Sequence, residues 1–287
     1  MAQPQAEAQI FLKRLISALV MIPPVLGAIF YGFPAFDLLI GLVFVVLAYE
    51  WTKLCGAPSK RWDVIIFYVL GIAALTLITL AKIKLGLWVL LGGSMFLATT
   101  YFLFGKKIDP SFSSAPNPAS RLPWLAIGFC YVGFAMAILL LLRHEGAAGR
   151  NIILLLVLIA WAADTGAYAF GRLIGGPKLA PVLSPNKTWA GFIGGTFCAA
   201  AVGVGYALIS QQSAVFSITL GATVLGIISQ GGDLLESCIK RLFQVKDTSS
   251  LIPGHGGLLD RVDSLLAMSW VVGFLYWLAR KEVLQWM

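Results

Sequence analysis

The chain has 287 residues, of which 59% are hydrophobic and 12% are charged, and its mean hydropathy is +0.87. Soluble domains contain roughly 45–50% apolar and about 25% charged residues, so this composition excludes an ordinary soluble domain. The net charge of +8 comes from Lys and Arg residues between apolar blocks, which is typical of loops on the inner side of a membrane, and we expect no nucleic-acid partner.

Apolar blocks of about 20 residues recur along the chain, and this is the length that crosses a bilayer core of ~30 Å. The pattern predicts an all-α, polytopic integral membrane protein with about nine transmembrane helices. The predicted spans cover residues 15–31, 35–52, 63–81, 85–104, 122–142, 151–171, 189–210, 214–232 and 264–280.

The first two spans are separated only by a short turn near Gly32–Pro34, which predicts a tight hairpin or a re-entrant segment. Lys13 and Arg14 precede the first span as in a signal peptide, but no A-x-A-like site follows it. We therefore expect a retained helix.

The distribution of Lys and Arg residues predicts the orientation of the chain. With the N-terminus in the cytoplasm, 15 of the 21 basic residues fall in cytoplasmic segments and 6 in outer ones. This excess favours a cytoplasmic N-terminus and an outer C-terminus. It also places two polar loops, 172–188 and 233–263, on the side of the membrane where nucleotides are found.

Asp164 lies in the apolar block of the sixth span. An ionisable group inside a span costs about 2.5–3.5 kcal/mol on insertion scales, which makes it a candidate site residue. The alternative is a residue at the helix end that caps the helix or pairs with Arg172.

The following loop contains helix breakers at Gly175–Pro177 and then the run Ser184-Pro185-Asn186-Lys187-Thr188. Because backbone N–H groups at a helix start attract anions, this run is typical of a turn that holds a phosphate. A positive-inside loop with a Ser cap is the alternative. In the seventh span, small residues recur at a spacing of four (Gly191, Gly195, Ala199, Gly203 and Ala207), which predicts close helix packing.

Residues 233–263 concentrate the charge of the C-terminal half. Asp233, Glu236 and Lys240 share one helical face, as do Asp260 and Asp263. Between these groups lie Lys246-Asp247 and the glycine-rich run 253–257, in which His255 either meets a ligand or caps a turn. Carboxylates beside basic residues are typical of metal-assisted phosphoryl chemistry, because Mg²⁺ takes oxygen ligands and cations neutralise phosphoryl oxygens.

These residues resemble a known pattern. Ser237-x-x-Lys240-Arg241, Lys246-Asp247, His255-Gly256-Gly257 and Asp260-Arg261-x-Asp263 closely resemble the sequence pattern of the phosphatidate cytidylyltransferase family, also called CDP-diglyceride synthases. The runs DTGAYAFGR and SPNKTW are similar to family segments as well. Strong resemblance covers about residues 161–267. The chain departs from the family at Ala190, where a Glu is frequent, so any role of that Glu has no residue here.

The resemblance implies an enzyme of the bacterial inner membrane whose active site faces the cytoplasm. It would be a nucleotidyltransferase of phospholipid biosynthesis that condenses CTP with phosphatidic acid to give CDP-diacylglycerol and pyrophosphate. The resemblance also implies Mg²⁺, with K⁺ as a possible second cation, and a homodimer. It suggests that residues 1–150 form a lipid-facing scaffold and residues 151–287 the catalytic region.

The residue pattern and the resemblance together assign roles. The resemblance implies that Asp233 and Asp260 are the metal ligands, with Glu236 as a further candidate. The catalytic candidates are Lys187, Lys246, Asp247, His255 and Asp263. The candidates for substrate binding are Asp164, Ser184, Lys240, Arg241, Gly256, Gly257 and Arg261.

Three other functions use similar features. A CTP-dependent lipid kinase would share the metal and the nucleotide, although the long His-Gly-Gly pattern argues against it. A cytidylyltransferase of ether lipids differs only in a linkage that the sequence does not reveal. A membrane transporter would also place acidic residues in its spans, but it often carries matching broken helices in two halves of the chain.

Overall fold

A computed structural model describes Val20 and residues 22–56, 62–108, 121–251 and 256–279. Most of the described residues lie in helices. They are α1 (Ile22–Tyr31), α2 (Ala35–Leu54), α3 (Trp62–Thr79), α4 (Ile83–Ile108), α5 (Arg121–His144), α6 (Gly146–Leu173), α7 (Trp189–Ile209), α8 (Val215–Leu242) and α9 (Leu259–Ala279).

Each predicted span overlaps one of these helices. Seven of the helices in the described ranges, α2 to α8, contain a stretch that is long and apolar enough to cross a membrane. The prediction of an all-α, polytopic membrane protein is therefore confirmed. The boundaries differ most at α8, which continues to Leu242 beyond the predicted end at residue 232, so the first charged residues of the predicted loop lie on a helix.

The short connection between the first two spans is a tight turn. Helix α1 ends at Tyr31 and α2 begins at Ala35. Gly32 lies between them with φ of 79°, a left-handed conformation that glycine adopts without a steric penalty.

The loop after α6 contains a small hairpin that the sequence analysis did not predict. Strand β1 (Lys178–Ala180) pairs antiparallel with β2 (Ser184–Thr188). Gly175 and Gly176 precede it with φ of 67° and 93°, so α6 stops where the predicted helix breakers lie. Thr188 ends β2 and caps α7, because its Oγ1 accepts a hydrogen bond from the Gly191 N–H at 3.1 Å.

The chain divides into two compact units. Unit 1 contains the described residues up to Leu141 together with Leu242–Arg261. Unit 2 contains Leu142–Arg241 and the described residues from Val262 onward. The predicted division between a scaffold and a catalytic region at residue 150 concerns function and stays a prediction.

An aromatic core holds unit 1 together. Phe67 of α3 stacks on Phe44 of α2 with ring centroids 6.1 Å apart, and it meets Phe129 of α5 edge to face at 5.1 Å. Trp51 of α2 donates from Nε1 to the Trp124 carbonyl of α5 at 2.7 Å. Trp124 in turn contacts Phe243 edge to face at 5.5 Å, so α5 contacts the segment that follows α8.

Small residues bring the helices of unit 2 close together, as the spacing in the seventh span predicts. A Cβ on Gly195 of α7 would lie 2.7 Å from the Ala163 carbonyl of α6. A Cβ on Gly203 would lie 2.6 Å from the Ala222 Cβ of α8. Because these contacts leave no room for a side chain, the glycines permit the approach of both neighbours.

Candidate active site

Part of the predicted site falls into two clusters, one in each unit. The loop cluster, in unit 1, contains the predicted residues Gly257 and Asp260 together with Glu50, Thr248 and Ser249, which the sequence analysis did not single out. The helix cluster, in unit 2, consists of Lys187, Asp233, Glu236, Lys240 and Asp263.

In the loop cluster, Asp260 occupies the first turn of α9. Its Oδ2 accepts hydrogen bonds from the Thr248 N–H at 3.1 Å, the Thr248 hydroxyl at 3.0 Å and the Gly257 N–H at 2.9 Å. A carboxylate that accepts several hydrogen bonds is held in one orientation.

Gly256 and Gly257 pack closely against the carboxylates of Asp260 and Glu50. Gly256 has φ of 84°, and a Cβ there would lie 3.1 Å from Asp260 Oδ2. A Cβ on Gly257 would overlap the Thr248 hydroxyl and lie 2.9 Å from both carboxylate oxygens of Glu50. The glycines predicted to bind substrate therefore have a packing role in the structure.

Glu50 is the residue that the sequence analysis missed. It is completely buried in α2, where its carboxylate contacts Thr248, Ser249, Leu258 and Leu259. The sequence could have identified Glu50, because it is an acidic residue within an apolar span, and the same feature made Asp164 a candidate. No short spacing connects Glu50 with the charged segment, because the two lie about 200 residues apart in the chain.

In the helix cluster, Lys187 near the end of β2 forms an ion pair with Asp233 of α8, with Nζ and Oδ2 2.6 Å apart. The side chain of Lys187 is 25% exposed and that of Asp233 is 36% exposed, but the Lys187 Nζ atom itself is buried. The phosphate-binding candidate and the predicted metal ligand are thus direct neighbours.

One turn along α8, the buried Glu236 contacts Lys240, with Oε2 and Nζ 3.5 Å apart. Asp263 of α9 is buried as well, and it accepts a hydrogen bond from the Ser264 N–H at 2.7 Å. Burial, together with the nearby negative charge of Asp233, raises the pKa of Asp263 to about 6. The helix cluster therefore crowds acidic groups beside two lysines.

Close packing of α8 against α9 produces this crowding. The Ser264 hydroxyl donates to the Ser229 carbonyl at 3.1 Å. A Cβ on Gly232 would lie 2.6 Å from the Ala267 Cβ and 3.0 Å from the Asp263 carbonyl oxygen. The glycine that precedes Asp233 therefore allows α9 to approach.

The remaining predicted site residues belong to neither cluster. Arg241 donates from Nε to the Leu183 carbonyl at 3.4 Å, which connects the end of α8 to the turn of the hairpin. Ser184 begins β2 opposite Ala180. Asp164, Lys246, Asp247 and Arg261 are exposed, and His255 lies outside the described residues.

Among the described residues, no group of three or more His, Cys, Asp or Glu side chains has an arrangement that could hold a metal ion. Mg²⁺ is commonly bound by one or two carboxylates together with substrate phosphates. Asp233, Glu236 and Asp263 carry the hard oxygen donors that Mg²⁺ prefers, but these carboxylates alone do not form a group that could hold the metal. These donors therefore fit a metal that is completed by phosphate oxygens.

A protein-family model and several known proteins match most of the chain. The family model described as "Cytidylyltransferase family" matches residues 12–279. The chain is 37% identical over 237 residues to proteins named phosphatidate cytidylyltransferase from Brucella suis biovar 1 (strain 1330) and Brucella abortus biovar 1 (strain 9-941), covering 82% of this chain and 81% of each relative. It is 43% identical over 153 residues to the protein of that name from Staphylococcus aureus (strain COL), covering 51% of this chain and 58% of the relative.

Proposed function

The chain belongs to the cytidylyltransferase family, and from this premise we propose that it is a phosphatidate cytidylyltransferase. It is a multi-pass membrane enzyme that transfers a cytidylyl group from CTP to phosphatidic acid. The products are CDP-diacylglycerol and pyrophosphate. The family membership and the names of the relatives support this activity.

The reaction is a phosphoryl-type transfer at the α-phosphorus of CTP. A phosphate oxygen of phosphatidic acid forms a bond to that phosphorus, and the bond to the bridging α–β oxygen breaks, so that the electron pair leaves with pyrophosphate. Such a transfer needs little covalent participation by the protein. It requires that two polyanions be positioned and that their charge be neutralised.

The observation that carries the proposal is the helix cluster. Lys187 and Lys240 bring positive charge to a group of carboxylates at one end of α8, whereas most of α8 is apolar. Charged groups are expensive in a membrane span and mark functional positions. Within the proposal, Lys187 binds a CTP phosphate from the end of β2, just before α7, and Lys240 and Arg241 neutralise further phosphate charge.

We propose Mg²⁺ as the metal, with Asp233 and Asp260 as ligands and Glu236 as a further candidate. When bound, Mg²⁺ would neutralise phosphate charge and orient the phosphates. Three hydrogen bonds hold the Asp260 carboxylate in one orientation, which suits a metal ligand. Asp233 forms an ion pair with Lys187 in the structure, and this contact would be exchanged for a metal contact of Asp233 and a phosphate contact of Lys187 when the substrates bind. K⁺ as a second cation is part of the same proposal.

The proposal places the enzyme in the bacterial inner membrane with its active site on the cytoplasmic side, where CTP is available. The excess of basic residues in the predicted inner loops supports this orientation. A homodimer is proposed from the family resemblance.

The decisive experiment measures pyrophosphate and CDP-lipid formation by the purified chain in mixed micelles with CTP, phosphatidic acid and Mg²⁺. We expect equal amounts of both products, and none without the lipid or with EDTA. A CTP-dependent lipid kinase would instead release CDP and no pyrophosphate. Replacing phosphatidic acid by its ether-linked analogue distinguishes the two lipid classes. If CTP is not consumed, or if CDP is the product, the proposal is wrong.

A further inference from the structure

Glu50 lies in a part of the chain to which the proposed function assigns no reacting group. It sits near the C-terminal end of α2 and is 0% exposed. Its Oε1 accepts hydrogen bonds from the Ser249 hydroxyl at 2.6 Å and the Leu258 N–H at 2.8 Å. Its Oε2 accepts one from the Leu259 N–H at 2.6 Å.

Two of these donors are the backbone N–H groups where α9 begins. The first N–H groups of a helix have no partner within the helix, and a negatively charged acceptor there is favoured by the helix dipole. Glu50 therefore supplies from a distant helix what an N-cap side chain supplies locally. The heavy-atom distances of 2.6, 2.8 and 2.6 Å are short for hydrogen bonds, so the carboxylate holds these donors firmly.

The same segment is held from its other side by Asp260. The Thr248 hydroxyl lies between the two acids, 3.0 Å from Asp260 Oδ2 and 3.5 Å from Glu50 Oε2. Gly257 donates to Asp260 and has no space for a Cβ beside Glu50. Displacement of the Glu50 carboxylate would therefore alter the groups that orient Asp260.

We propose that Glu50 is a positioning residue for the transfer reaction. Its buried carboxylate fixes Thr248, Ser249 and the start of α9, and through them the orientation of the Asp260 carboxylate. The proposal rests on the proposed function, since it assigns Asp260 a role in that reaction. Glu50 itself touches neither substrate in this scheme.

The test replaces Glu50 by Gln, which keeps the size of the side chain but removes its charge and one acceptor oxygen. The matched control is Asp37→Asn, the same change in the first turn of the same helix, where the carboxylate accepts a hydrogen bond from the Thr79 hydroxyl at 2.8 Å. We measure amide hydrogen exchange of peptides that cover residues 247–259, together with kcat and both KM values in the micelle assay.

For Glu50→Gln we expect the Leu258 and Leu259 amides to exchange faster, while peptides from α7 are unchanged. We also expect kcat to fall by roughly 10- to 100-fold, because strong hydrogen bonds that orient a reacting group are lost. The KM values for CTP and phosphatidic acid should stay within about twofold, since neither substrate is contacted. Asp37→Asn should behave like the unmodified chain in both measurements.

Unchanged exchange at Leu258 and Leu259 would overturn the proposal, and so would faster exchange with an unchanged kcat, which would make Glu50 a purely structural anchor. If Glu50→Gln does not fold, Ser249→Ala decides in its place: it removes one donor, and we expect a smaller change in the same two readouts, whereas no change in either contradicts the proposal. If the unmodified chain produces no pyrophosphate, the proposed function fails. The exchange measurement still reports separately on the contacts of Glu50.

Discussion

Acidic residues are scarce in this chain, with 13 Asp and Glu among 287 residues, and two of them carry the metal hypothesis. Asp233 lies beside Lys187, and Asp260 is held by three hydrogen bonds. We expect Asp233→Asn and Asp260→Asn each to reduce turnover by at least about 10³-fold, because the amide cannot neutralise a cation. Turnover at several Mg²⁺ concentrations checks this.

The control for these two variants is Glu145→Gln, which changes a carboxylate that accepts a hydrogen bond from Tyr276 and should leave turnover unchanged. Yield and elution in detergent confirm insertion and folding. Substantial Mg²⁺-dependent activity in either Asp variant would refute the metal assignment.

A second prediction concerns the role of Lys187 in binding CTP. Lys187→Ala should raise KM for CTP or lower kcat by about 10-fold or more and leave the phosphatidic acid dependence little changed, because Lys187, at the end of β2, is expected to bind a CTP phosphate. Lys187→Arg should restore little, since a planar guanidinium does not replace a compact ammonium. The matched control is Lys178→Ala, an exposed lysine of the same hairpin.

Saturation curves for both substrates separate the possibilities. A shift confined to phosphatidic acid would place Lys187 on the lipid side of the reaction. No shift in either curve would make it an ordinary positive-inside residue.

Asp263 makes the stability of the folded protein depend on pH. Its pKa of about 6 lies above the ordinary value of 3.8 because of burial and the nearby charge of Asp233. The folded state therefore binds this proton more tightly than the unfolded state, and the stabilisation that this gives is lost as pH rises from about 4 to about 6. Asp263→Asn cannot ionise, so it should melt at a higher temperature than the unmodified chain at pH 7.5, with a smaller difference near pH 4.5. Thermal unfolding in detergent at both pH values measures this, and an equal or lower melting temperature at pH 7.5 would contradict it.

The residues of the C-terminal clusters could be predicted from the sequence because they are close in the chain and share helical spacing. Asp233, Glu236 and Lys240 stand one and two turns apart, and the structure places Glu236 and Lys240 in contact. Glu50 was not predicted, because its partners are separated from it by about 200 residues and no local pattern encodes such a contact. Ser249 was missed for the same reason: its polar side chain matters only through Glu50.

At the scale of the element, helix α7 shows what sequence periodicity can and cannot supply. The spacing of four among its small residues predicted a tightly packed face, and the contacts of Gly195 and Gly203 confirm it. The same spacing could not identify which helices lie against that face. The end of α6 was predicted to within two residues, because Gly and Pro interrupt the apolar block there, whereas the end of α8 was missed by ten residues, because this apolar helix continues into charged residues.

Two glycines of α7 provide a matched pair. A Cβ on Gly203 would lie 2.6 Å from Ala222 Cβ and 3.0 Å from Thr219 Cα, whereas nothing lies within 4 Å of one on Gly205. Gly203→Ala should lower the free energy of unfolding by about 1–3 kcal/mol through overpacking. Gly205→Ala should leave it unchanged or raise it by up to about 1 kcal/mol, because alanine favours a helix.

Thermal unfolding of the two variants in the same detergent makes the comparison. Equal effects of the two substitutions would mean that α7 and α8 do not approach each other as the structure has it.

At the scale of the whole molecule, the number of apolar blocks determined the fold class, because the hydrophobic length of a bilayer leaves few alternatives for a helical chain. The orientation rests on the 15 basic residues of the predicted inner segments against 6 of the outer ones. A reporter that is active only outside the cytoplasm should therefore be active after Met287 and inactive in the 106–121 loop. The opposite pair of results would invert the topology and separate the proposed site from CTP.

The contact between Glu50 and the start of α9 also has a consequence for the order of events during synthesis. Glu50 enters the membrane with α2, whereas the Thr248 hydroxyl is made 198 residues later. At ~5–20 residues per second, that interval is about 10–40 s. Throughout this time the nascent chain contains an acidic side chain whose final hydrogen-bond donors do not yet exist. A segment made about 200 residues later completes the environment of Glu50, so the loop cluster can assemble only after the start of α9 has been synthesised.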